Sequence, residues 1–134
     1  MKSAVPLFSL GLLVLATAIA LACAENRTLQ SIAVSPATAD ANGNPVQFTA
    51  TGTYNAPPVK VTPQPATWGA CYQNASTTDV TVTSSGLAQC AAGASGAYIV
   101  FAYDFVGQVC PASTNACGGG GGCQVTGTAQ LTCP

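Results

Sequence analysis

Beyond residue 28 the apolar side chains recur at every second position in short runs, and the runs are separated by clusters of Pro, Gly, Asn, Asp and Ser. Period-2 alternation puts successive side chains on opposite faces of an extended chain, so each run reads as a strand with one face toward a core. Ile32 and Val34 alternate in Leu29 to Val34, and Ser35-Pro36 ends that run. Asp40 to Pro45 is dense in turn formers, because Asn and Gly tolerate positive φ and Pro presets φ. Val46 to Tyr54 follows, with Val46, Phe48 and Ala50 on one side and Gln47, Thr49 and Thr51 on the other. Pro57 and Pro58 break it, and Val59-Lys60-Val61, bracketed by prolines, fits only an edge piece. Strands are also expected at Ala66 to Tyr72, which holds Trp68, at Asp79 to Thr83, and at Leu87 to Cys90 after the turn Ser84-Ser85-Gly86. Ala97 to Phe105 has apolar residues at both phases, which predicts a central strand or one buried on both faces. Gln124 to Thr132 alternates Val125, Gly127, Ala129 and Leu131 with Thr126, Thr128 and Gln130. No helix-period spacing appears in this part of the chain.

The N-terminus follows a different rule. Lys2 precedes a continuous apolar stretch, Ala4 to Ala22, and small residues then lead to Cys23. This predicts a lipoprotein-type signal peptide over residues 1–22, with Cys23 lipidated and residues 23–28 serving as a short tether. Cleavage at an A-x-A site for ordinary secretion and an uncleaved anchor are the alternatives. Nothing later in the sequence is long and apolar enough to span a bilayer as a helix. The expected localisation is the cell envelope, with a membrane partner reached through the lipid on Cys23, or else secretion.

Composition narrows the chemistry. The 134 residues carry 3 cationic and 4 acidic side chains and no His. Without clustered Lys and Arg there is no electrostatic footprint for nucleic acid. Without His there is no Ser-His or Cys-His dyad, and no catalytic residue is assigned. Asp40, Asp79 and Asp104 fall at strand ends and turns, where solvation explains them better than a shared Ca²⁺; no metal and no cofactor is expected. The glycine run Gly118 to Gly122 lacks the Lys-Ser/Thr ending of a phosphate loop and precedes a strand, so it reads as a hairpin tip. Tyr54, Tyr72, Tyr98 and Tyr103 with Trp68 offer material for a sugar-stacking platform, although aromatic residues on strands more often pack in or beside a core.

Cys71, Cys90, Cys110, Cys117, Cys123 and Cys133 lack the C-x-x-C spacing usual in metal sites, and in an exported chain they read as three disulfides. Six cysteines allow fifteen connectivities.

Leu29-x-x-Ile32-x-Val34-x-Pro36, Val46-x-Phe48-x-Ala50-x-Gly52, Thr67-Trp68, Val80-x-Val82-x-x-x-Gly86-Leu87-Ala88 and Gly96-x-x-x-Val100-x-Ala102 come in that order. Together they resemble the bacterial immunoglobulin-like domain of group 2, the invasin/intimin type, over most of residues 29–105. The resemblance implies an all-β immunoglobulin-like sandwich of about seven strands that serves as an extracytoplasmic module in adhesion and surface display. The domain is assigned to 29–134, with Trp68, Phe48, Ile32, Val82 and Phe101 in its core. Trp68 is expected to be mostly buried, and Trp68→Ala to cost about 3–5 kcal/mol. In such a fold the Trp68 and Gly86–Cys90 strands are neighbours, which favours a Cys71–Cys90 bridge. The other four cysteines would staple a Cys- and Gly-rich insert, 107–123, to the last strand. The same analogy puts the insert, the Tyr54–Pro65 loop and the entering N-terminus at one end, facing the membrane. The family domain is usually free of cysteines, so the insert is the chief departure from its pattern. The expected function is a non-catalytic envelope module with a structural or protein-interaction role. The alternative is a carbohydrate- or surface-binding module with a glycan partner, and an enzyme comes third.

Overall fold

The computed structural model describes residues 27–106, 117 and 123–134. The signal segment, Cys23, the tether up to residue 26, Cys110 and the run Gly118 to Gly122 lie outside the described residues. No helix among the described residues is long and apolar enough to cross a membrane.

The chain forms two packed β layers. In the first, β1 (Leu29–Ser35) runs antiparallel to β4 (Thr49–Tyr54), and β5 (Lys60–Val61) pairs with the other side of β4. A separate three-stranded sheet, β3 (Val46–Gln47), β9 (Leu87–Cys90) and β8 (Val80–Val82) in that order, adjoins it where the chain passes from β3 to β4 through Phe48. β3 and β4 are the two pieces of the expected Val46–Tyr54 strand. The run is interrupted at Phe48, whose amide donates to Gly86 O at 2.9 Å instead of to a ladder partner. Gly86 has φ +85°, and a Cβ there would press on the Phe48 carbonyl and the Trp68 indole. Only Gly suits that backbone and that contact.

The second layer is five-stranded: β2 (Thr38–Asp40), β11 (Gln124–Cys133), β10 (Gly96–Phe105), β6 (Thr67–Tyr72) and β7 (Ala75–Ser76), in that order. The start of the chain thus contributes to both layers. β1 belongs to one, and after Ser35-Pro36 the chain crosses so that β2 lies parallel to the last strand, β11. This strand order is an immunoglobulin-like sandwich. β2 and β7 have no counterpart among the predicted strands, being only 3 and 2 residues long.

Leu29, Ile32, Val34, Phe48, Ala50, Val100, Ala102, Ala129 and Leu131 fill the space between the layers, with Phe48, Val100 and Leu131 fully buried. Leu29 and Ile32 are three apart, yet both face inward, because a bulge between Leu29 and Ser31 resets the phase of β1. Among the expected core residues, Phe48 and Ile32 are buried, while Trp68 and Val82 are half-buried against the cluster. Phe101 departs from expectation: it lies on the opposite, outer face of β10.

The expected Cys71–Cys90 bridge is also overturned. Cys71 bonds Cys117 and Cys90 bonds Cys133, with Cα atoms 5.7 and 6.0 Å apart. The reason is direction: β6 and β9 belong to different layers, and Cys71, directly opposite Ile99, points away from the interlayer space. Cys123 is disulfide-bonded as well. Such bridges persist in oxidising compartments outside the cytoplasm.

Candidate functional site

β10 is central, as its apolar character predicts, but only one of its faces is buried. Tyr98, Val100 and Ala102 point inward. Ile99, Phe101, Tyr103 and Phe105 point outward and form a single stripe along the outside of the five-stranded sheet. The Phe101 and Tyr103 rings are near-parallel, 28° apart with centroids at 6.1 Å, and Phe105 meets Tyr103 edge-on at 5.6 Å. Phe105 is 63% exposed and Ile99 37%.

The flanking strands explain how large rings sit on an outer face. Directly opposite Phe101 on β6 is Gly69, and a Cβ at Gly69 would occupy the position of the ring itself. Phe101 is half-buried because it lies on bare backbone. On the other side Phe101 pairs with Thr128 and Tyr103 with Thr126, while Thr67 faces Tyr103 from β6. The stripe therefore has neutral, hydroxyl-bearing borders. Cys71 shares this face opposite Ile99 and is bonded there to Cys117.

The proposed tyrosine platform is not assembled. Tyr98 is a core residue, 3% exposed, whose hydroxyl donates to Asp79 Oδ2 at 3.3 Å. Burial, and then the Asp79 carboxylate, push that hydroxyl's pKa above its usual value. Tyr72 leans on the Tyr98 ring at 5.1 Å, tilted 39°. Trp68 borders a cleft of about 230 Å³ with Phe48, Ala50, Pro63 and Gln64, on the inner side of β6. Tyr54 belongs to a third place, at the end where the chain enters. Its hydroxyl donates to Gln64 Oε1 at 2.8 Å, and the Arg27 guanidinium stacks 3.6 Å above its ring. Gln64, only 4% exposed, passes the connection on by donating from Nε2 to Asp104 Oδ2 at 3.2 Å, which links the end of β4 to the end of β10.

Of the expected aromatic set, Tyr103 alone lies on the outer stripe, with Phe101 and Phe105 as its neighbours there. The signal that would have located the stripe is present at Ile99, Phe101, Tyr103 and Phe105, one phase of a single strand. The competing phase, Tyr98, Val100 and Ala102, is equally apolar, so pattern alone does not choose between them. Asp40, Asp79 and Asp104 do not converge: Asp40 pairs with Thr132, Asp79 meets Tyr98, and Asp104 meets Gln64. Among the described residues, no three His, Cys, Asp or Glu side chains group as metal ligands would. No family model matches this chain, and no curated protein matches it.

Proposed function

We propose that this chain is a non-catalytic, immunoglobulin-like module of the cell envelope, anchored through a lipid on Cys23, with a protein-interaction role carried by the outer face of the five-stranded sheet. The observation that carries this reading is the outward stripe Ile99, Phe101, Tyr103 and Phe105. Apolar and aromatic side chains in one continuous row, exposed at Ile99 and Phe105 and half-buried at Phe101 and Tyr103, with no charge among them, form the kind of patch that marks an interaction surface. Large rings with few rotatable bonds lose little entropy when covered. The resemblance to group 2 bacterial immunoglobulin-like domains and the disulfides fit an extracytoplasmic setting. A saccharide surface is the second reading, favoured by the near-parallel Phe101–Tyr103 pair between the threonine borders.

A photo-crosslinking phenylalanine analogue placed at Tyr103 tests the proposal in intact cells. The expected result is a discrete protein adduct, lost when Ile99→Ser is added, while the same analogue at Gln89, on the other layer, gives none. No adduct at 103, together with glycan-array binding that Tyr103→Ala abolishes, would instead establish the saccharide reading.

A further inference from the structure

The two ends of the sandwich differ in charge and in exposed apolar side chains. At one end lie the start of β1, the end of β4, the start of β6 and the end of β10. The register pairs Leu29 with Tyr54, Thr53 with Lys60, Tyr103 with Thr67 and Phe105 with Gln124, and the Tyr54–Gln64–Asp104 bonds tie these termini together. Both cations among the described residues, Arg27 and Lys60, are at this end and exposed. So are Phe105 and Val59, 63% and 47% exposed, the two most exposed large apolar residues described. The opposite end carries Asp79, beside Tyr98, and Asp40, paired with Thr132. Asp104, at the cationic end, is engaged by Gln64 Nε2 and by the Phe105 amide.

The chain enters at this cationic, apolar end and is fastened there. The Arg27 guanidinium donates to Pro58 O at 2.6 Å and to Ala56 O at 3.4 Å while stacking on Tyr54, and the Thr28 amide donates to Asn55 Oδ1 at 2.7 Å. No slack remains beyond residue 27. Three residues, Ala24, Glu25 and Asn26, separate Cys23 from Arg27, and the four Cα-to-Cα steps reach about 13 Å when extended. An anchor at Cys23 therefore holds this end, rather than the end that carries Asp40 and Asp79, within roughly a Debye length or two of the bilayer, where attraction between cations and anionic headgroups persists.

We infer that the entry end of the sandwich docks on the lipid surface, with Val59 and Phe105 seated among the headgroups and Lys60 and Arg27 against lipid phosphates. The inference rests on the anchored reading above and adds a defined orientation: the β layers stand upright on the membrane, and the aromatic stripe rises from it between Phe105 and Ile99. Exposed apolar tips flanked by Lys and Arg are the side-chain chemistry of an interfacial contact.

The test uses the full processed protein in vesicles of phosphatidylglycerol and phosphatidylethanolamine, with and without brominated acyl chains. Val59→Trp and Phe105→Trp each place a reporter at the entry end, and Gln89→Trp places one on an exposed position away from it. The unsubstituted protein supplies the Trp68 background. The expected result is at least twofold stronger bromolipid quenching for the two entry-end reporters than for Gln89→Trp, reduced when Lys60→Glu is added. Vesicle flotation is run on the same samples. Protein that floats while all three reporters quench alike retains its anchor and overturns the docking. Protein that does not float overturns the anchored reading and the docking with it.

Discussion

The side chain missing at Gly69 decides more than most side chains present. The Phe101 ring occupies the space a Cβ would take, so the outer stripe lies flat on β6 rather than standing off it. Gly69→Ala forces the ring aside. The expected result is a loss of about 1–3 kcal/mol in urea unfolding, typical of overpacking, with a changed near-ultraviolet signal from the Phe101–Tyr103 pair. Trp68 needs a smaller figure than full burial implies. It is half-buried beside an open cleft, so Trp68→Ala is expected to cost about 2 kcal/mol, below the usual range for a closed core site. Tyr98 supplies a pH signature. Its folded pKa lies above the unfolded value near 10.0, so the folded state holds its proton more tightly. The stability it contributes is fully present below that value and is lost as pH rises through the folded pKa. Stability should therefore fall above pH 10 more steeply in the native protein than in Tyr98→Phe, as pH-dependent urea melts would show.

Among the elements, β11 was legible as a strand from its alternation and β10 from its apolar run, and β11 faces its partner as its pattern implies: Val125, Ala129 and Leu131 are inward. β10 was legible as central, but its outward face was not, because both phases are apolar. The choice falls to packing. Tyr98, Val100 and Ala102 meet Phe48, Leu131 and their neighbours across the layers, and the larger residues at the other phase are left outside. The cysteines show the same division. Their number in an exported chain predicts bridges, yet pairing depends on which way each strand turns its side chains. Non-reducing peptide mapping should return Cys71 joined to Cys117 and Cys90 joined to Cys133. The Cys90–Cys133 bridge joins the end of β9 to the end of β11 and so links the two layers across 43 residues of chain. Replacing both cysteines by Ala should lower unfolding free energy by about 4 kcal/mol, from the lost constraint on the unfolded chain.

For the whole molecule, the sequence by itself determined the all-β class, the places of most strands and turns, an apolar stretch near the N-terminus, and a domain short of charge with no histidine. Each of these is a local property: alternation, Gly and Pro chemistry and composition act within a few residues and do not depend on what packs against them. Tertiary structure decided the rest. It added β2 after the first run and placed it in the other layer, because β2 gains a partner only from β11, some ninety residues later in the chain. It paired Cys71 outward and left Phe101 on the surface, because one strand has two faces and only one can meet the other layer. It also gathered Arg27, Lys60, Val59 and Phe105 at one end and placed Asp40 and Asp79 at the other. Residues far apart in sequence become neighbours only when antiparallel strands return the chain to the same edge, and no local pattern encodes that return.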